Sequence, residues 1–254
     1  MIWLSGAFLV TALLYASVGF GGGSTYAALL ALAELDYRIL PLVALACNVV
    51  VVAGGSWRFA RAGITPWRGA LAVTALAAPA ALLGGLTPID REPFMLLLGG
   101  NLLVTGATML VPLRKDAEGA AGPAIGQGPQ WTRKGMPLIA APLGYLAGLV
   151  GIGGGIFLAP LLHLARWDNP RAIAATASLF ILVNSLFGIA GQILKGGADR
   201  FAAAVGFGLP LMLAVAIGGW VGSLLAVRAL PAIWIRRVTA ALTIYVGARI
   251  LIGM

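Results

Sequence analysis

Two short strings hold most of the chemistry this sequence can offer: ASVGFGGGSTY at 16–26 and GLVGIGGGIFLAP at 148–160. Each sets clustered glycines into an apolar stretch, at a density that breaks a helix. A helix restarting after such a break presents backbone N–H groups without intrahelical partners, and the positive end of its dipole points the same way. Such an end binds an oxyanion with no basic side chain required. The new segments are expected to begin near Ser24-Thr25-Tyr26 and near Ile156-Phe157. In the first, Ser24 and Thr25 add hydroxyls beside the amides of Gly21, Gly22 and Gly23. In the second, Gly151, Gly153, Gly154 and Gly155 have no adjacent hydroxyl, so the two sites would differ. Glycines in membrane helices also serve close packing alone. Two matched clusters, each inside an over-long apolar block, count against that plainer reading. Neither string is a nucleotide-binding fingerprint, because no soluble strand precedes it and no lysine or acidic ribose ligand follows.

Other polar side chains lie inside apolar stretches. Asn48 sits in ALACNVVVV, and Thr176, Ser178 and Asn184 sit in AATASLFILVNSLFG, with Asn101 and Gln192 as lesser candidates. Amides in lipid are costly unless paired, so these face the protein interior, as substrate contacts or as helix-to-helix hydrogen bonds. All eight carboxylates fall in or beside loops. A cation carrier is therefore disfavoured, as is a metal site, since hard cations want carboxylate oxygens. The single Cys47 and single His163 supply no disulfide framework, metal cluster or acid–base pair. The chain is expected to be neither an enzyme nor the holder of a cofactor.

The elements that position these groups follow from the distribution of charge. The 254 residues are 60% hydrophobic and 10% charged, with mean hydropathy +0.98. A soluble domain carries roughly a quarter of its residues charged. Eight apolar blocks can be drawn, at 2–33, 37–57, 69–88, 93–113, 135–165, 172–194, 201–227 and 234–253. Nearly all reach the roughly 20 residues needed to cross the hydrocarbon core. The formal net charge is +9, but the Lys and Arg are scattered between blocks, which argues against a nucleic-acid partner and for a topology signal. If every block crossed once, ten basic residues would face seven. If 2–33 and 135–165 instead fold back at their glycines, twelve face five, the stronger positive-inside bias. The expected fold is an all-α polytopic membrane protein of two homologous halves. Residues 1–113 and 135–254 each hold a glycine-broken hairpin plus three crossings, joined by a cytoplasmic linker at 114–134. An odd number of crossings per half inverts the second half, an arrangement used by secondary transporters.

The sequence resembles the sulfite exporter TauE/SafE family of membrane transport proteins. The likeness rests on SVGFGGGSTYAALLAL (17–32), GYLAGLVGIGGGIFLAPLLHL (144–164) and RAIAATASLFILVNSLFGIAGQ (171–192). It implies a multi-pass carrier in the cell inner membrane for sulfite, thiosulfate or an organosulfonate. It also implies helix breaks at Gly21–Gly23 and Gly151–Gly155, with Thr176, Ser178 and Asn184 beside the second. The first half keeps Asn48 but lacks the Thr/Ser pair of TAS. The expected mechanism is alternating access, one half rocking against the other around a midplane anion held by the amides, Asn48 and Asn184. An anion channel and a carrier of another organic anion, such as a carboxylate, are the rival readings. An anion leaving a negative interior is already driven outward, by about 2.3 kcal/mol per charge per 100 mV. Uptake would need a coupled proton or cation. Small-residue helix faces would also permit a homodimer.

Overall fold

The computed structural model describes residues 1–18, 21–110, 130–225 and 232–253. Every regular element among them is a helix. In chain order these are α1 (Ile2–Val18), α2 (Gly23–Leu32), α3 (Leu40–Arg61), α4 (Trp67–Leu86), α5 (Arg91–Leu110), α6 (Gln130–Val150), α7 (Gly155–Leu164), α8 (Pro170–Leu225) and α9 (Ala232–Ile252). Helix α8 is not one rod. At Gly197 the backbone leaves helical space (φ 70°, ψ −175°), giving a first leg, 170–196, and a second leg, 198–225. Four helices, α3, α4, α5 and α8, are long and apolar enough to cross a membrane, while α1, α2 and 135–150 of α6 are apolar but shorter. The chain is an all-α polytopic membrane protein. Most of the expected linker, 114–129, lies outside the described residues, and α6 starts at Gln130.

Burial is arranged for lipid. Leu71, Leu76 and Leu83 of α4, and Leu209, Leu213, Ile217 and Trp220 of α8, point outward, whereas Asn48, Thr176, Ser178 and Asn184 are completely buried. In water that distribution would be unfavourable; in a bilayer the apolar shell contacts acyl chains and the polar groups face one another.

Local sequence explains the helix limits. Pro41 occupies the first turn of α3, and Gly63 (φ 67°) follows its end. Asn169 caps α8, its Oδ1 accepting the Ala172 N–H at 2.8 Å, with Pro170 as the first helical residue. The two ten-residue helices α2 and α7 stop by one device. Glu34 (φ 54°) and Arg166 (φ 47°) adopt the left-handed conformation, and the next residue donates back, Leu35 to Leu30 (3.1 Å) and Trp167 to Leu162 (3.0 Å). Such a conformation is uncommon outside glycine, and here it recurs at corresponding points of the two hairpins.

Close backbone approaches fix the helix directions. A Cβ on Gly144 would meet the Ala77 carbonyl and one on Gly148 that of Ala81, so α6 lies along α4 in the same sense. Gly218 meets Leu9 and Gly222 meets Leu13, which sets the second leg of α8 parallel to α1. Helix α3 runs against the first leg of α8, with Leu45 beside Gly188 and Ser56 bonded to Ser178 at 2.9 Å. Helix α5 runs against α9, Gly99 lying at Leu251 and Gly106 at Ile244. Small residues at crossings are how helices approach in membranes, where dispersion replaces the hydrophobic drive.

Both hairpins double back. Tyr26 of α2 stacks on Phe8 of α1, ring centroids 4.8 Å apart, while Gly22 sits beside Thr11. In the second, Gly154 abuts Leu143 and Ala147, and Leu158 and Leu162 share a core cluster with Met136 and Ala140.

Candidate functional site

The returning helices start one residue before the positions expected from sequence, at Gly23 and Gly155. Both starts are buried, and neither carries a side-chain cap. The first bonds of α2 and α7 run from Tyr26 N to Gly22 O (2.8 Å) and from Phe157 and Leu158 N to Gly154 O (3.2 Å each). The amides before them face the break rather than the helix. Their geometry differs. Gly151, Gly153 and Gly154 have φ of 87°, 80° and 72°, whereas Gly22 has φ −88°.

Asn48 of α3 joins the two breaks. A Cβ on Gly23 would collide with the Asn48 amide and with the Ile152 carbonyl; one on Gly153 would lie 2.9 Å from Asn48 Nδ2, and one on Gly21 3.2 Å from Asn48 Oδ1. The first leg of α8 closes the other side. Ile181 touches Gly21, Gly153 and Gly155, and Ser185 Oγ lies 3.5 Å from the Gly153 Cβ position. Residues from both halves thus meet at one place, which nothing local in the sequence announces.

Polar atoms there are left without partners. Elsewhere, buried hydroxyls bond to their own helix, as Thr11 does to Ala7 O and Thr74 to Ala70 O, both at 2.7 Å. At or beside the junction, both amide atoms of Asn48 and of Asn184, and the hydroxyls of Ser24, Thr176 and Ser185, are buried with no hydrogen-bond partner among the described residues. Tyr26, Thr105 and Trp167 are the other such side chains. An unsatisfied buried polar group costs about 1–3 kcal/mol, so this concentration marks a place built for something other than stability.

Not every expected site residue belongs to that set. Thr25 is engaged with the Tyr15 hydroxyl at 3.0 Å, and Ser178 with Ser56 at 2.9 Å, so both hydroxyls are occupied. Gly151 packs on Pro41, and Gly154 on Phe180 and Leu143, away from Asn48. Gln192 donates to the carbonyls of Gly148 (2.9 Å) and Leu149 (3.4 Å), closing the end of α6. Sequence reasoning passed over Ile181, Ser185 and Ser56. Ser185 follows Asn184 directly and could have been read with it. Ser56 supplies from the first half a hydroxyl that its lack of a TAS string had seemed to deny it.

An all-α membrane protein with uncapped, buried helix starts and unpartnered amides at one internal junction has the build of a membrane transporter. A family model described as sulfite exporter TauE/SafE matches residues 4–250. The chain is also 33% identical over 256 residues to the "Probable membrane transporter protein y4hK" of Sinorhizobium fredii (strain NBRC 101917 / NGR234), with 98% of each chain covered. No solved structure gives a significant match. The protein belongs to the sulfite exporter TauE/SafE family, and at the level of that family it transports small anions across a membrane.

Proposed function

We propose that the chain is a secondary carrier of a small sulfur-containing oxyanion, sulfite, thiosulfate or an organosulfonate, working by alternating access in the inner membrane. The observation that carries the reading is the meeting of two uncapped helix starts on an unpartnered Asn48. Helix N-termini favour anions, and amide donors suit sulfur-bound oxygens. The family's printed description supports the sulfur chemistry.

Two inverted halves fit the helix directions. The pairs that correspond between halves, α3 with the first leg of α8 and α5 with α9, run antiparallel. Counting the two legs of α8 separately and adding α9 gives six crossings beside two re-entrant hairpins. The contacts favour one change to a simple rocking of half on half. Each hairpin is locked to a helix of the other half, α1 to the second leg of α8 and α6 to α4. The moving units are therefore mixed, and the anion reaches the amides when α3 and the first leg of α8 draw apart.

Asn48 packs directly on Gly21, Gly23 and Gly153, which favours a carrier over an open channel. The absence of a carboxylate in the blocks and the burial of the one cysteine, Cys47, favour transport over catalysis and leave export down the membrane potential as the simplest energetics. The test is flux of labelled sulfite and thiosulfate in proteoliposomes, with and without unlabelled anion on the far side. Saturable, trans-stimulated flux is expected. Conductive flux without counterflow would replace the carrier with a channel, and flux of carboxylates alone would replace the substrate.

A further inference from the structure

At one end of the bundle lies a cavity of about 520 Å³, lined by Tyr37, Arg38 and Pro41, by Pro88 to Asp90 and Phe94, and by Leu149, Gln192, Lys195 and Arg200. Its lining carries three cations and one carboxylate. Arg38 is anchored through its Nε to Tyr37 Oη (3.3 Å), and Lys195 donates to Thr87 O at 3.2 Å. Three helices begin at this rim: α3 after Arg38, α5 directly after Asp90, and the second leg of α8 before Arg200. Their positive dipole ends add to the three side chains, while Asp90 and Glu92 at the start of α5 and Asp36 beside Arg38 offset part of that field.

The floor connects the cavity to the junction. Leu149 and Gln192 close the end of α6 just before Gly151. A Cβ on Gly151 would lie 2.5 Å from Pro41 Cα. Asn48 stands two helical turns further along α3, about 10 Å away. The close approach of Pro41 and Gly151 thus lies between the cavity and the junction.

We infer that this basin is an outer docking site for a small doubly charged oxyanion, held by Arg38, Lys195 and Arg200 above the Pro41–Gly151 contact. The inference rests on the carrier reading, which gives the basin its purpose, but its chemistry can be tested without transport. Two positive charges in excess among the lining side chains suit a dianion of sulfite or sulfate size over a monoanion, and a charged funnel raises local anion concentration and capture rate. Lipid phosphate offers the same oxygens, so the source of the anion is part of the question.

The experiment places a reporter cysteine in the basin, Ile89→Cys, with Pro88→Cys as a second reporter should the first fail to fold. The purified full chain in neutral detergent is labelled with anionic and with cationic methanethiosulfonates; the native Cys47 is completely buried. At low salt the anionic reagent, with each rate divided by that of the same reagent toward a free thiol, is expected to react about tenfold faster, a bias that Arg38→Gln/Lys195→Gln/Arg200→Gln removes. Sulfate, inert toward the reagents, is expected to slow labelling at concentrations where chloride does not. Equal normalised rates for the two reagents, or a bias surviving the triple change, overturn the inference. Protection by phosphatidylglycerol and not by sulfate assigns the basin to a lipid headgroup and also overturns it. In proteoliposomes the triple variant should raise KM about three- to tenfold from the basin face only. A wild-type protein that moves no anion yet shows the bias and sulfate protection keeps the basin and sinks the carrier reading.

Discussion

The two glycine breaks share the letters GGG and use them for different physical reasons. In the second, Gly151, Gly153 and Gly154 take positive φ, so their glycine is a matter of backbone conformation. In the first, Gly22 has an ordinary φ, and Gly21 and Gly23 are not among the positive-φ residues; what they supply is room for the Asn48 amide and the Ile152 carbonyl. One break is shaped by its own dihedrals, the other by what packs against it, Asn48 and Val52 of α3 together with Ile152 and Ile181. A motif that recurs along a chain can therefore be held by unlike constraints at its two occurrences.

The largest effect should come from filling the shared space. Gly23→Ala is expected to abolish anion flux in proteoliposomes while the protein still elutes as a folded species, because the added methyl would overlap both the Asn48 amide and the Ile152 carbonyl. Flux at the wild-type rate would mean that the first break is not shaped by the junction. Next is the amide common to both breaks. Asn48→Ala is expected to raise transport KM about 10- to 100-fold, the equivalent of losing one hydrogen bond to a charged group. Ser56→Ala should change it far less. Equal effects of the two would erase the distinction between unpartnered and satisfied polar groups.

Smaller and of another kind is the backbone contrast. Gly154→Ala places a Cβ at φ 72° and should destabilise the fold by about 1–2 kcal/mol, read as a lowered midpoint in thermal unfolding. Gly22→Ala, meeting only the Thr11 methyl and the Tyr26 ring near 3.0 Å, should cost less. The reverse ranking would overturn the assignment of the two constraints. The smallest effect belongs to the inter-half hydroxyl pair. A double-mutant cycle on Ser56 and Ser178 should give a coupling of about 1 kcal/mol in stability, with little change in flux.

Much of this was legible in the sequence wherever a physical cause acts locally. Long uncharged runs can only be helices in a membrane, and four glycines in five residues cannot continue one. The turn-back of both hairpins followed from block length and from the placement of Arg58, Arg114, Arg166 and Arg228. The equal lengths of α2 and α7 accord with strings repeating at a constant offset, whereas the left-handed Glu34 and Arg166 that end them carry no signal in their residue types. What could not be read was pairing across the halves. Asn48 against Gly153, Ser56 against Ser178 and Gln192 against the end of α6 join residues too distant in sequence to leave a periodicity or a spacing. Thr25 and Ser178 looked like ligands because their residue type is visible and their partners are not. The basin left no signal in the sequence for a related reason: its cations come from two separate segments, Arg38 before α3 and Lys195 and Arg200 about the Gly197 kink, each unremarkable alone.

The crosswise packing of the hairpins also bears on how the protein is made. Helix α1 leaves the ribosome well before its partner, because Leu9 and Leu13 rest on Gly218 and Gly222, some 200 residues later. At roughly 5–20 residues per second, the nascent chain holds an unpartnered hairpin in the bilayer for about 10 to 40 s. The first half has no finished shape until the last third of the chain is synthesised. A gene divided between residues 114 and 129 should accordingly yield two polypeptides that are degraded when made singly and recovered when made together.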